Sequence, residues 1–293
     1  MTFLDGEEVK QLDDIARAAR RGADVALAQA EPLRAGYAER WPRHRAYAPG
    51  DDYRRIDWNV CARHDELLYR PPPPFSDRPV QLLVDCSRSM TTGSPSKWER
   101  AVRIAARLGA AALGRLDRVG ALGFANGVVA EIPPMRGAAR CLRLARFLDQ
   151  LRPEGKRADL AAASRRLALR GPPGMTVVIG DFFAPDGYCR GLDLLQCAGH
   201  AVCAVHVCAR DDAQPSLLGN VALCDIETGD RLAAVLGQRE LSAYRTAFHE
   251  FCDAMRRFCR RRGIAYHRNW EDTPWRWTLF EVMGLVARQP KSG

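Results

Sequence analysis

A chain of 293 residues, 47% of them hydrophobic, can bury a large core, so disorder of the whole chain is excluded. No apolar run approaches the roughly 18 residues of a membrane span, and the N-terminus lacks the order of a signal peptide, so a cytoplasmic location is expected. The net charge of +9 would still permit nucleic-acid binding. The ten cysteines form no C-x-x-C pair, which favours reduced and buried thiols.

The first quarter of the chain differs in pattern from the rest. Helical spacing covers residues 6–30 and is followed by an irregular aromatic stretch. Four consecutive prolines at positions 71–74 are stiff and cannot donate backbone hydrogen bonds, so they are the best candidate boundary. We therefore predict an N-terminal segment, residues 1–74, and an α/β domain, residues 75–293.

Beyond the prolines, short apolar runs typical of strands alternate with helical patterns. Strands are predicted at 80–84, 118–124, 128–132, 176–179, 201–207 and 264–267, and helices at 96–116, 138–151, 160–169, 192–197 and 242–262. A hairpin is predicted over residues 221–235, and the tail formed by this hairpin, the last helix and the last strand is expected to complete the same sheet. The alternation predicts an α/β fold, a mostly parallel central sheet with helices on both faces.

Two aspartates, Asp85 and Asp181, each follow an apolar strand. Ligands gather at the carboxyl ends of parallel strands, and two buried anions there require a compensating cation. Ser87 and Ser89 share the loop of Asp85, and oxygen ligands of this kind suit Mg²⁺ or Mn²⁺. The alternative, that the serines only cap the next helix, is less favoured because Ser96 already begins a capping box there. The sequence thus predicts a metal site at Asp85, Ser87, Ser89 and Asp181.

This set of residues resembles the metal-ion-dependent adhesion site of von Willebrand A domains, whose loop reads Asp-x-Ser-x-Ser and whose later ligands are a Thr and an Asp. The resemblance implies a Rossmann-like fold. Ala158 stands where the Thr is expected, so one direct ligand is missing. Water or Asp159 could fill that position, metal affinity is expected to be lower, and a metal-free site stays open.

The string Pro-Gly-Asp-Asp-Tyr-Arg-Arg-Ile-Asp-Trp at 49–58, placed before the Asp-x-Ser-x-Ser loop, resembles the hallmark of the bacterial domain-of-unknown-function 58 family. The resemblance runs from about residue 34 to about residue 280. Many members are encoded beside MoxR-type AAA+ ATPases. This implies a non-enzymatic adaptor whose metal binds an acidic residue of a partner protein, either the ATPase or its client. For the string itself, bracing of the domain and partner contact both stay open.

Two other classes of function were weighed. A phosphatase of the haloacid dehalogenase type also keeps a nucleophilic Asp after a strand, in the position of Asp85. Ser87 replaces the second Asp of that Asp-x-Asp motif, so its general acid is missing and no enzymatic activity is predicted. A basic nucleic-acid-binding protein would use the arginines of residues 256–262, but their spacing favours the solvated face of an amphipathic helix.

A zinc site is the remaining possibility for the cysteines. His249, Cys252 and Cys259 have a spacing that could share one helix face. Zinc sites usually take ligands from two elements, so ordinary core packing is favoured for these three residues.

Overall fold

The computed structural model describes residues 4–20, 45–47, 56, 58, 61, 67–69, 79–115, 117–184 and 187–287. Its helices are α1 (Gly6–Arg20), α2 (Lys97–Gly114), α3 (Cys141–Gln150), α4 (Leu160–Ala168), α5 (Cys189–Cys197), α6 (Arg210–Ala213), α7 (Gln238–Arg261) and α8 (Trp275–Ala287). Its strands are β1 (Arg45–Ala46), β2 (Leu68–Tyr69), β3 (Pro79–Asp85), β4 (Arg118–Phe124), β5 (Val128–Arg136), β6 (Met175–Gly180), β7 (Ala201–Val207), β8 (Gly219–Cys224), β9 (Arg231–Leu236) and β10 (Ala265–Asn269).

Six of these strands form a central sheet in the order β10-β7-β6-β3-β4-β5. All neighbours pair in parallel except β4 and β5, which are antiparallel. Leu82 and Leu83, adjacent on the fully buried β3, enter different core clusters because successive side chains point to opposite faces. One cluster holds residues of α1, α2 and α3, and the other holds residues of α4, α5 and α7. The predicted α/β fold is confirmed.

Helix α2 is the central helix on one face of the six-stranded sheet. Ser96 Oγ accepts a hydrogen bond from Glu99 N–H at 3.1 Å, which is the N-cap that the sequence predicts. Helix α1 lies against α2 so closely that a side chain at Gly114 would place its Cβ 2.2 Å from the backbone oxygen of Ala16. Glu8 of α1 also pairs with Arg107 of α2 at 3.0 Å. Helix α1 therefore belongs to the packed core.

The hairpin formed by β8 and β9 corrects one prediction. Its strands pair only with each other, as a separate two-stranded sheet, and most of their residues are exposed. The position beside β7 is taken by β10, which enters in parallel after the long helix α7. The expectation that the tail completes the main sheet is therefore confirmed for its last strand, β10, and wrong for the hairpin, because β10 takes the edge beside β7.

Two further predictions concern the start of the chain. The prolines 71–74 and most of the 49–58 string lie outside the described residues, so the division at residue 74 stays a prediction. Among the residues that the structure does describe, no helix combines the length and the apolar character needed to cross a membrane.

Candidate metal centre

Asp85 and Asp181 leave the same edge of the sheet on neighbouring parallel strands, because β3 and β6 pair in a register that sets Val84 beside Ile179. The two residues are only 2% and 1% exposed. A Cβ at Gly180 would lie 3.0 Å from Asp85 Oδ2, so the carboxylate reaches over the neighbouring strand at a residue without a side chain. The predicted convergence of the two acids is therefore present.

The chain turns sharply after Asp181. Phe182 has a φ of 59°, in the left-handed region that a bulky residue rarely adopts. The turn brings the N–H of Phe183 to Asp181 Oδ1 at 3.1 Å, so that the backbone holds one carboxylate oxygen in place. Strain of this kind, which costs about 1–3 kcal/mol, is concentrated at functional sites.

The hydroxyls of Ser87 and Ser89 lie on the same loop as Asp85. The N–H of Ser87 donates to Asp85 Oδ1 at 2.8 Å, and the two hydroxyl oxygens are 2.9 Å apart. The loop is held from the side, because Arg88 N–H donates to the carbonyl of Gly155 at 2.8 Å and Gly155 N–H donates back to Cys86 O at 3.0 Å. Asp85, Ser87 and Ser89 thus form a continuous group of oxygen atoms.

The charge of this group is poorly compensated. Burial raises the pKa of Asp85 to about 7, and repulsion from Asp181 adds to it, while hydrogen bonds from Ser87 only partly offset the two effects. A cation placed against the carboxylate would remove this penalty.

Lys97, the first residue of α2, is a functional residue that the sequence reasoning missed. Its Nζ lies 2.8 Å from Asp181 Oδ2 and 2.8 Å from Asp212 Oδ2, with the lysine side chain 1% exposed. Burial opposes the charged form, but the two carboxylates outweigh it and raise the pKa of Lys97. The ammonium therefore stays charged and compensates part of the acidic cluster. The sequence did offer a signal for Lys97. It is one of only four lysines in the chain, and it lies next to Trp98 at the start of a predicted helix.

Ala158, the residue that the sequence resemblance aligns with the Thr of von Willebrand A domains, packs its methyl group against the core cluster of α4 and α5. Asp159 Oδ1 accepts the N–H of Ala162 at 2.8 Å and so caps α4. This use of the carboxylate leaves Asp159 poorly suited to replace the Thr hydroxyl.

Glu227, at the tip of the β8–β9 hairpin, is a second residue that the sequence reasoning missed. Burial and the nearby charge of Asp181 raise the pKa of Glu227, whereas a hydrogen bond with Ser89 lowers it. Asp225 Oδ1 shapes the tip by accepting the N–H groups of Glu227 at 2.7 Å and of Thr228 at 3.1 Å. An exposed hairpin thus brings a carboxylate to the edge of the candidate metal ligands.

The donor set fits the expected ion. Asp85, Ser87, Ser89 and Asp181 offer only carboxylate and hydroxyl oxygens, which are the ligands that Mg²⁺ and Mn²⁺ prefer. When a bound cation holds Asp85 in its ionised form, Asp85, Asp181 and Asp212 carry three negative charges against the single positive charge of Lys97, which leaves two negative charges. A divalent ion matches that remainder.

The other predicted groups lie elsewhere. The arginines of the cluster are exposed on one side of α7, while Leu241, Phe248, Cys252, Met255 and Cys259 are buried on the other. This is the amphipathic arrangement that the spacing favours. His249 is exposed and Cys259 packs in the core, so the structure does not bring these two together with Cys252.

The family model described as "Protein of unknown function DUF58" matches residues 43–264, which include every residue of the site. This chain belongs to that family. The DUF58 protein is 37% identical over 196 residues to the uncharacterized proteins Rv1480 of Mycobacterium tuberculosis and Mb1516 of Mycobacterium bovis, with 63% of this chain aligned. The alignment spans 60% of the length of those relatives.

Two solved structures are similar to this DUF58 chain at low sequence identity. One is the conserved hypothetical protein BatB from Bacteroides thetaiotaomicron, with a TM-score of 0.44 and 17% identity. The other is an aerotolerance-related membrane protein from Bacteroides fragilis, with a TM-score of 0.46 and 19% identity. Each comparison covers 71% of this chain and 98% of the other.

Proposed function

We propose that this DUF58 protein is a non-enzymatic binding module that grips an acidic residue of a partner protein through a divalent metal ion. Asp85, Ser87 and Ser89 hold the ion, with Asp181 beside them, and the ion is Mg²⁺ or Mn²⁺. The observation that carries the proposal is the convergence of two buried strand-ending carboxylates and two hydroxyls, with Asp85 raised in pKa to about 7.

The charge of the site supports binding of a carboxylate. A divalent ion would balance the two excess negative charges left after Lys97 is counted, and serine hydroxyls add none. The absence of a hydroxyl at Ala158 leaves the ion with fewer protein ligands than the adhesion site of von Willebrand A domains. The ion therefore keeps a position for an anionic oxygen from outside.

Asp85 is poorly suited to the alternative role of a phosphatase nucleophile. It is 2% exposed, and with a pKa of about 7 much of it is protonated at neutral pH. A protonated carboxyl group is a weak nucleophile. These properties favour coordination over covalent chemistry.

The hairpin provides a surface for the partner next to the metal. Several of its apolar side chains are exposed, among them Leu223 (37%), Leu232 (65%) and Val235 (73%). Leu223 and Leu232 are paired across the hairpin and so share one of its faces, whereas Val235 points to the other face, and exposed apolar residues that share a face mark interaction sites. In line with the family resemblance, we propose a MoxR-type AAA+ ATPase or its client as the protein that binds there.

The proposal is tested with a MoxR-type ATPase from the same genome, immobilised and titrated with this protein in Mg²⁺ or in chelator. Asp85→Ala is expected to weaken capture at least about tenfold, because a hot-spot contact contributes more than about 1.4 kcal/mol. Asp253→Ala, which changes an exposed Asp on α7, is the matched control and should bind as wild type does. Equal capture by the Asp85 variant, or capture unaffected by chelator, would remove the metal from the mechanism.

Glu227 is expected to compete with the partner, because its carboxylate already lies beside Ser89. Glu227→Ala should therefore tighten capture several-fold, since removal of an internal competitor raises the fraction of binding-competent molecules. The exposed Glu250 offers a control in Glu250→Ala, measured in the same titration. A loss of capture in the Glu227 variant would instead make this residue part of the partner surface.

A further inference from the structure

Three side chains with nitrogen or sulfur ligand atoms meet at the end of the neighbouring strand β7, and none of the three is among the oxygen ligands described above. His206 and Cys208 lie at the end of β7, and Cys252 lies on α7. All three are buried, and their ligand atoms lie within 4.8 Å of one another. Cys208 and Cys252 are 44 positions apart in the sequence, so the cluster exists only in the folded chain. It draws its ligands from two elements, as zinc sites usually do.

His206 has one ring nitrogen engaged and one available. Its Nδ1 lies 2.9 Å from the hydroxyl oxygen of Tyr266. Its Nε2 is buried and makes no hydrogen bond of normal geometry to the residues that the structure describes, although the backbone of Asp181 lies near the ring. A neutral imidazole carries its proton on one ring nitrogen and keeps a lone pair on the other, and a metal-binding histidine offers that lone pair to the ion.

The three ligands differ in protonation: the hydrogen bond with Cys252 and burial raise the pKa of Cys208, so this thiol must lose its proton to the solvent when a metal binds. Burial lowers the pKa of His206 to about 3, so the imidazole is neutral. A hydrogen bond from Cys208 lowers the pKa of Cys252 to about 7 against the opposing effect of burial, and Arg268 contributes in the same direction. Neutral imidazole and thiolate are the forms that bind metals.

The surroundings hold the ligands in place. The carbonyl of Cys208 accepts a hydrogen bond from Arg100 Nη2 at 2.7 Å, and its N–H donates to Asn269 O at 2.9 Å. Cys252 packs with Phe248 in a small apolar cluster on α7. Rigid and apolar surroundings reduce the cost of ordering ligands around an ion.

We propose that His206, Cys208 and Cys252 form a second metal site, which takes a soft or borderline ion such as Zn²⁺. Bond lengths of about 2.0 Å to nitrogen and 2.3 Å to sulfur place tetrahedral ligands roughly 3.5–3.8 Å apart, so a small closure of the cluster suffices. Two thiolates and a neutral imidazole give an uncharged complex with Zn²⁺, which suits a buried location. Binding releases the thiol proton of Cys208 and any proton left on Cys252.

Co²⁺ added to the reduced full-length protein tests this site, with Mg²⁺ in excess so that the oxygen site is filled. Wild type is expected to show thiolate-to-cobalt charge-transfer absorption at one equivalent. Cys208→Ala and Cys252→Ala should lose that band, whereas Cys259→Ala, which changes another buried cysteine of α7, and Asp85→Ala should keep it. Tyr266→Phe should weaken Zn²⁺ binding by about 10–100-fold in a chelator competition, as loss of an outer hydrogen bond does.

The site is refuted by either of two results. Absence of the band in reduced wild type would show that no thiolate-metal complex forms, and a disulfide between Cys208 and Cys252 under mild oxidation would then reassign the pair to redox chemistry. A band that persists in Cys252→Ala would place the metal elsewhere. Because Asp85→Ala serves as a control, failure here is independent of failure of the partner-binding proposal.

Discussion

Replacement of Lys97 by Met is expected to lower the free energy of unfolding by about 3–5 kcal/mol, because it leaves buried carboxylates without their cation. Lys97 contacts Asp181 and Asp212 at 2.8 Å each, and its side chain is 1% exposed. Met keeps most of the apolar stem, so the loss reports the charge. Urea unfolding measures the change.

Two variants separate this effect from a general sensitivity to lysine replacement. Lys156→Met changes an exposed lysine and should alter stability by less than about 0.5 kcal/mol. The double variant Lys97→Met/Asp181→Asn should recover part of the loss, because removal of both partners of a buried pair costs much less than removal of one. If Lys97→Met unfolds like wild type, Lys97 does not compensate the cluster.

Asp85→Asn is expected to raise the free energy of unfolding of the metal-free protein above pH 7 by about 2–4 kcal/mol. This magnitude follows from the pKa of Asp85, which is raised from 3.8 to about 7 in the folded protein. A carboxyl group with a raised pKa in the folded state binds its proton more tightly there than in the unfolded chain. The wild type therefore loses stability as the pH rises from about 4 to about 7, because the unfolded chain ionises first. Asn at this position carries no charge, so the variant does not lose stability over this pH range.

Addition of Mg²⁺ should reverse the order of stability of wild type and the Asp85→Asn variant. It binds the ionised carboxylate and should raise the melting temperature of wild type at pH 8, but leave Asp85→Asn unchanged. Asp253→Asn provides the control for loss of an exposed carboxylate. An equal Mg²⁺ effect on wild type and on Asp85→Asn, or a stability difference between them that does not vary with pH, would contradict the assignment of Asp85.

The position of the candidate metal-binding loop at a strand end was predictable because its signals are local. An apolar run followed at once by Asp85 marks a strand end, and Ser87 and Ser89 lie within four residues of it. Asp181 follows the same pattern on a second strand. In a parallel sheet the ends of neighbouring strands meet, so one topological rule brought the acids together.

The residues that approach this site from distant parts of the chain and change its charge were not predictable in the same way. Lys97 lies 84 residues from Asp181 in the chain, and Glu227 belongs to a hairpin that was assigned to the wrong sheet. The approach of Glu227 to Ser89 depends on where that hairpin lies, and no periodicity encodes it. The same holds for Cys252, which spacing alone grouped with His249 and Cys259.

The sequence by itself determined the α/β class, the alternation of strands and helices, and the two acids at the strand ends, because hydrophobic periodicity and strand termini are short-range properties. Tertiary structure alone decided that β10 takes the sheet edge, that Lys97 compensates Asp181, that Glu227 reaches Ser89, and that His206, Cys208 and Cys252 meet. These contacts join residues far apart in the chain, and their energies depend on burial and distance, which exist only once the core has packed.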